Sequence, residues 1–173
     1  APELFHRTAP AGFESTYDFS LVAHHFDALD TDKLLADVLA TYDWLLTQED
    51  VHKDKIGSIG FCLGGRVSFL ANSAVQLAGA VSFYGGYTHT LAGRAATLGA
   101  PHLFFWGGKD QHILPQHIQT VKDSLAAADK DFINVEISYA DHGFFCDERD
   151  AYHPQAATEA WGMTKEFFAN KLG

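Results

Sequence analysis

The stretch Lys55-Ile56-Gly57-Ser58-Ile59-Gly60-Phe61-Cys62-Leu63-Gly64-Gly65 decides the reading of the fold. Lys55 to Phe61 is a short apolar run, the pattern of a buried strand. Gly60, Gly64 and Gly65 then crowd around Cys62. Glycines at that spacing let a strand turn sharply into a helix, because the backbone segments approach too closely there for side chains. Gly64 to Ala74 continues as the helix.

Outward from this unit the alternation recurs. Gly79 to Tyr84 (GAVSFY) reads as a second strand, ending in Gly85-Gly86. Pro101 to Trp106 (PHLFFW) is a third, ending in Gly107-Gly108 and followed by a helix from Pro115 to Ala128. Asn134 to Tyr139 (NVEISY) is a fourth strand, and a helix from Gln155 to Asn170 closes the chain. Upstream, Leu34, Leu35, Val38, Leu39, Tyr42, Leu45 and Leu46 recur at helical spacing behind the N-cap candidates Asp30 and Thr31. Residues 1–29 carry Pro2, Pro10 and Gly12 and read as loop-rich, with a short helix over Leu21 to Ala28. Strands alternating with helices indicate a parallel sheet covered on both faces. No repeat, low-complexity tract or linker divides the chain, so residues 1–173 read as a single α/β domain.

Ligands of open parallel sheets bind beyond the carboxyl ends of the strands, and three of these ends carry reactive residues. Gly60-Phe61-Cys62-Leu63-Gly64 is the nucleophile-elbow pattern G-x-S-x-G with Cys in place of Ser. It puts the thiol at a helix N-terminus, where the dipole favours a thiolate, and aims the Leu63 amide at an oxyanion beside the sulfur. Asp110 follows Gly107-Gly108-Lys109 on a tight turn, and His142 follows Ala140-Asp141 on a loop. The order nucleophile, acid, histidine is similar to that of α/β-hydrolases.

Composition narrows the partners. The formal net charge is −10, from 22 acidic against 12 basic residues, with no basic cluster to offset it. Such a surface repels phosphate backbones, so nucleic acid is not an expected partner. No apolar run approaches the roughly 18 residues of a membrane span, and Ala1 to Pro10 lack the pattern of a secretory signal. Two cysteines are too few for a disulfide framework, and a cytoplasmic setting is expected. The histidines that stand out, His24-His25 and the pair His112 and His117, lack the spacing of a zinc motif, and Asp141 reads as a loop residue; no metal is expected.

With these residues in view the chain resembles the dienelactone hydrolase family, hydrolases of lactones and related esters with a Cys-Asp-His triad. The matching segments are Ile59 to Gly65 (IGFCLGG), Phe83 to Gly86 (FYGG), Pro101 to Asp110 (PHLFFWGGKD) and Tyr139 to Phe144 (YADHGF). Ala1 to Phe5 looks like a strand-end segment that the family carries midway through its chain. The resemblance implies an α/β-hydrolase-type sheet of which the C-terminal portion, about four strands, is present. It implies Cys62 as nucleophile, Asp110 as orienting acid, His142 as general base, a thioester acyl-enzyme, a small-molecule ester or lactone as substrate, and no cofactor.

The resemblance also implies N-terminal strands that precede this sequence, so the chain, which has no starting Met, is expected to be N-terminally incomplete. Those strands supply a second oxyanion amide and an acidic residue near the thiol, and no residue here stands in for either. Without them the Ile56–Phe61 strand exposes an apolar edge. A second copy of the chain, or an N-terminal fragment, is expected to complete the sheet. Arginines that hold a substrate carboxylate are implied as well. One belongs shortly after His142, where this chain has Phe145 and Cys146, with Arg149 displaced. The pattern for dienelactone itself is therefore not met.

Tyr84, Phe144 and Arg149 are the candidates to line the pocket, Arg66 to support the elbow helix, and Cys146 to be a small buried thiol or a redox partner of Cys62. The rival reading is a non-catalytic scaffold of the same fold that binds a ligand or a protein partner.

Overall fold

The computed structural model describes residues 1–14 and 19–173. The part of the loop-rich reading that falls on residues 15–18 lies outside the described residues. Four parallel strands form one sheet: β1 (Gly57–Phe61), β2 (Gly79–Phe83), β3 (His102–Gly107) and β4 (Phe132–Ile137), in spatial order β1-β2-β3-β4. Each strand thus pairs with the next in sequence, in registers such as Phe61↔Phe83, Phe83↔Phe105 and Gly107↔Ile137. The helices are α1 (Phe19–Asp27), α2 (Thr31–Thr47), α3 (Leu63–Asn72), α4 (Pro115–Ala127) and α5 (Pro154–Leu172). A 3-10 helix spans Thr88–Thr97 between β2 and β3.

Local chemistry accounts for these elements. Asp30 caps α2, its carboxylate accepting from the Lys33 N–H at 3.0 Å, and Leu34 and Val38 carry the helix's buried stripe. The helix α5 buries Ala156, Ala160, Thr164 and Phe167 along one face. Neighbouring residues of a strand point to opposite faces. Ser82 faces α3, its Oγ reaching the Gly65 carbonyl, whereas Gly79 faces α5, where an added Cβ would lie 2.9 Å from Phe167. The sheet is therefore covered on both faces. The central strands β2 and β3 are buried along their whole length, as a two-sided parallel sheet requires.

Three expectations need correction. The Lys55–Phe61 segment was expected to be buried, but the strand starts at Gly57 and Ile59 and Phe61 are 41% and 38% exposed. The reason is its position at the sheet edge, paired on one side only among the described residues. The fourth strand lies at Phe132–Ile137, not Asn134–Tyr139, because the register with β3 begins at His102↔Phe132. Cys146 is half-buried rather than buried. No helix among the described residues is long and apolar enough to cross a membrane.

Candidate active site

Parallel strands bring the ends of β1, β3 and β4 to one edge of the sheet, and Cys62, Asp110 and His142 follow those ends. Cys62 connects β1 to α3 with φ 52° and ψ −116°. This is a left-handed φ that a residue bearing a Cβ adopts only under constraint. The constraint is close approach: a Cβ at Gly60 would lie 1.9 Å from the Gly64 carbonyl oxygen. The Cys62 N–H donates to the Phe83 carbonyl at 3.0 Å and ties the turn to β2.

The three side chains form one hydrogen-bonded series. His142 Nε2 lies 3.3 Å from Cys62 Sγ, and His142 Nδ1 lies 2.8 Å from Asp110 Oδ2. The other carboxylate oxygen of Asp110 accepts the backbone N–H groups of His112 and Ile113 at 2.7 and 2.9 Å, which fixes the plane of the acid. Asp141 holds the backbone instead, its carboxylate accepting the His142 N–H at 2.7 Å. A buried imidazole between a carboxylate and a sulfur is driven toward its charged form.

Burial opposes that charge, yet the hydrogen bonds to Asp110 and Cys62 outweigh it and His142 is raised to about 9. Burial likewise works against a Cys62 thiolate, but the bond from His142, its charge and the Leu63 amide bring Cys62 below its ordinary value. Burial also opposes the Asp110 carboxylate, and the bonds from His142 and the two amides hold it below the usual range. Both shifts favour placing the shared proton on the imidazole of His142 and the negative charge on the sulfur of Cys62.

A model of the dienelactone hydrolase family matches residues 1–172. The chain belongs to the dienelactone hydrolase family. A Synechocystis sp. relative named "Putative carboxymethylenebutenolidase" is 31% identical over 184 residues, covering 99% of this chain and 74% of that protein. An Escherichia coli (strain K12) relative of the same name is 33% identical, covering 97% of this chain and 65% of that protein. This dienelactone hydrolase family member thus spans about two thirds to three quarters of these relatives' length. A Klebsiella pneumoniae crystal structure named "Putative Dienelactone Hydrolase" superposes with TM-score 0.84 at 27% identity, covering 97% of this chain and 73% of that one.

Around these three residues the remaining candidates are placed differently. Tyr84, with φ 37°, is 3% exposed, and its ring centroid lies 5.2 Å from that of His142. Phe144 is fully buried against Tyr84 and Phe83, so it supports the site from below and does not line open space. The half-exposed neighbour Phe145 packs on Phe61 and Trp161. Arg149 sits beside Gly143, close enough for its charge to favour the Cys62 thiolate.

Arg66 donates to Thr31 Oγ1 at 3.0 Å and so ties α3 to α2. His112, which the sequence raised only as half of a metal pair with His117, lies 5.4 Å from the His142 ring, a proximity not predicted from the sequence. Its place two residues after Asp110 was the available signal. Cys62 and Cys146 are both free thiols. No group of three or more potential metal ligands occurs among the described residues, and His24 and His25 pack ring to ring at 3.8 Å.

Proposed function

We propose that the chain is a carboxylic ester or lactone hydrolase in which Cys62 is the nucleophile, His142 the proton carrier and Asp110 its orienting acid. The observation that carries this reading is the single series Cys62–His142–Asp110, with contacts of 3.3 and 2.8 Å, at the sheet edge where substrates of such folds bind. The family membership and the names of the relatives point to the same substrate class.

In the proposed mechanism the Cys62 thiolate attacks the substrate carbonyl and forms a C–S bond, and the oxyanion moves against the Leu63 N–H. Collapse breaks the C–O bond, and the departing oxygen takes the proton that His142 holds. In a lactone this oxygen stays tethered to the acyl group. Neutral His142 then takes a proton from water, the resulting hydroxide attacks the thioester, and collapse releases the acid and restores the thiolate–imidazolium pair. Asp110 keeps Nδ1 protonated throughout, so Nε2 faces the reacting atoms. A thiolate leaves as readily as it attacks, so esters with a good leaving group, enol esters and strained lactones suit it better than plain alkyl esters.

The test is hydrolysis of a panel of activated esters and lactones by this chain beside Cys62→Ala. Turnover by the parent that the variant loses supports the reading. Inactivity of both, with iodoacetamide labelling Cys62 and Cys146 slowly and equally, favours the non-catalytic scaffold.

A further inference from the structure

Beneath the nucleophile turn lies a second buried polar series that the proposed mechanism does not use. Ser82 on β2, His102 on β3 and Asn72 at the end of α3 are 1%, 0% and 1% exposed. The proton positions follow by elimination. Asn72 Oδ1 accepts the Ala100 N–H at 2.9 Å, which turns the Asn72 amide nitrogen toward the Ala100 carbonyl, at 2.8 Å, and toward His102 Nδ1, at 3.3 Å. Facing a donor, Nδ1 accepts, so the proton of the imidazole sits on Nε2. Nε2–H therefore donates to Ser82 Oγ at 2.8 Å, and Ser82 spends its one O–H on the Gly65 carbonyl at 2.6 Å. Burial keeps His102 neutral down to about 3, as this one-way series demands.

The series ends on the first turn of α3. The Gly65 N–H donates to the Cys62 carbonyl at 3.0 Å, and a Cβ on Gly65 would lie 2.8 Å from the Phe83 carbonyl oxygen. The helix start is thus pressed onto the end of β2, and Asn72 anchors the other end of the same helix to the same imidazole. A strained residue such as Cys62 keeps its conformation only where its surroundings over-determine it. Packing alone would be met by apolar side chains between helix and sheet. Directed hydrogen bonds with every partner matched select one helix position.

We propose that His102, acting through Ser82 and the Gly65 carbonyl, is a positioning residue that holds the Cys62 thiol and the Leu63 amide in register with His142. The proposal rests on the hydrolase reading of Cys62, but its central readout does not require turnover.

The experiment compares the parent with Ser82→Ala and Ser82→Thr in ester hydrolysis and in the pH profile of Cys62 alkylation by iodoacetamide. Ser82→Ala is expected to lower kcat on the order of tenfold to a hundredfold with KM nearly unchanged. Its alkylation profile is expected to move toward that of an ordinary thiol, and Ser82→Thr, which keeps the hydroxyl, to restore both. A folded Ser82→Ala protein with the parent's kcat and alkylation profile, even at a lower Tm, overturns the proposal. A parent that hydrolyses nothing, but whose alkylation profile Ser82→Ala still moves, overturns the hydrolase reading and leaves the positioning role standing. Nitrogen NMR of the parent reads His102 without any variant: a neutral Nε2–H ring at neutral pH is expected, and a proton on Nδ1 overturns the proposal.

Discussion

At the level of single residues, chemistry here depends on where one proton resides. Cys62 ionises below its ordinary 9.0, and His142 holds its proton to about 9. Iodoacetamide alkylation of Cys62 is therefore expected to switch on at a lower pH than that of an ordinary thiol. Hydrolysis is expected to follow a bell, its acid limb set by protonation of the thiolate. The alkaline limb lies near pH 9, where His142 loses the proton the leaving group needs. Asp110→Asn removes the carboxylate that raises His142, so the alkaline limb is expected to move to lower pH. The same variant is expected to lose roughly a hundredfold or more in kcat. A pH–rate series on parent and variant checks both, and an unmoved alkaline limb would remove Asp110 from the mechanism.

Secondary-structure elements carry different risks. The turn from β1 into α3 leaves no room at Gly60, where a Cβ would meet backbone at 1.9 Å and no flexible side chain can yield. Gly60→Ala is expected to cost several kcal/mol and prevent recovery of folded protein, read by far-UV circular dichroism. The open flank of β1 is the other exposed liability. Ile59 and Phe61 on the strand present apolar surface at an edge able to pair. We expect this edge to recruit a second copy or a completing fragment. Ile59→Lys is then expected to shift the chain toward monomer in light scattering, while a clean monomeric parent without a co-purifying fragment would refute the pairing.

Across the whole molecule, stability and activity answer pH differently. His102 stays neutral in the fold to about 3 but takes a proton at about 6.5 when unfolded, so stability falls as pH drops below 6.5. Full expression of this one group gives a slope of about 1.4 kcal/mol per pH unit. Cys62 and His142 act on stability in opposite senses as pH rises. The raised His142 contributes stability that is full below 6.5 and lost as pH rises through about 9. The depressed Cys62 contributes stability that is present above 9.0 and lost as pH falls through its folded value. As pH rises toward 9 the loss at His142 and the gain at Cys62 oppose one another. Thermal unfolding is expected to show Tm rising with pH up to about 6.5, with a shallower rise in His102→Gln. An acid slope unchanged in His102→Gln would show that His102 is not the group responsible.

Much of this was legible in the chain itself, because the signals are local. Periodicity and turn residues located all four strands, since a parallel sheet writes its buried strands as apolar runs bounded by Gly and Pro. The glycines around Cys62 marked the elbow because a close backbone approach admits nothing else. Asp110 and His142 were singled out because each follows a strand end within a few residues. The 3-10 helix Thr88–Thr97 was missed, since THTLAGRAAT carries no helical period of its own and is held by Leu91 and Ala95 packing inward. That Phe144 is buried while Phe145 is half-exposed also lay beyond sequence, because adjacent loop residues have no fixed alternation. His102 and Ser82 look like interruptions of apolar strands until the sheet register and the Gly65 carbonyl give each a partner. The sequence alone determined which residues sit at strand ends, a matter of short-range backbone sterics. Only the tertiary structure decided which buried polar groups meet and which way their protons point, because those partners come from distant parts of the chain.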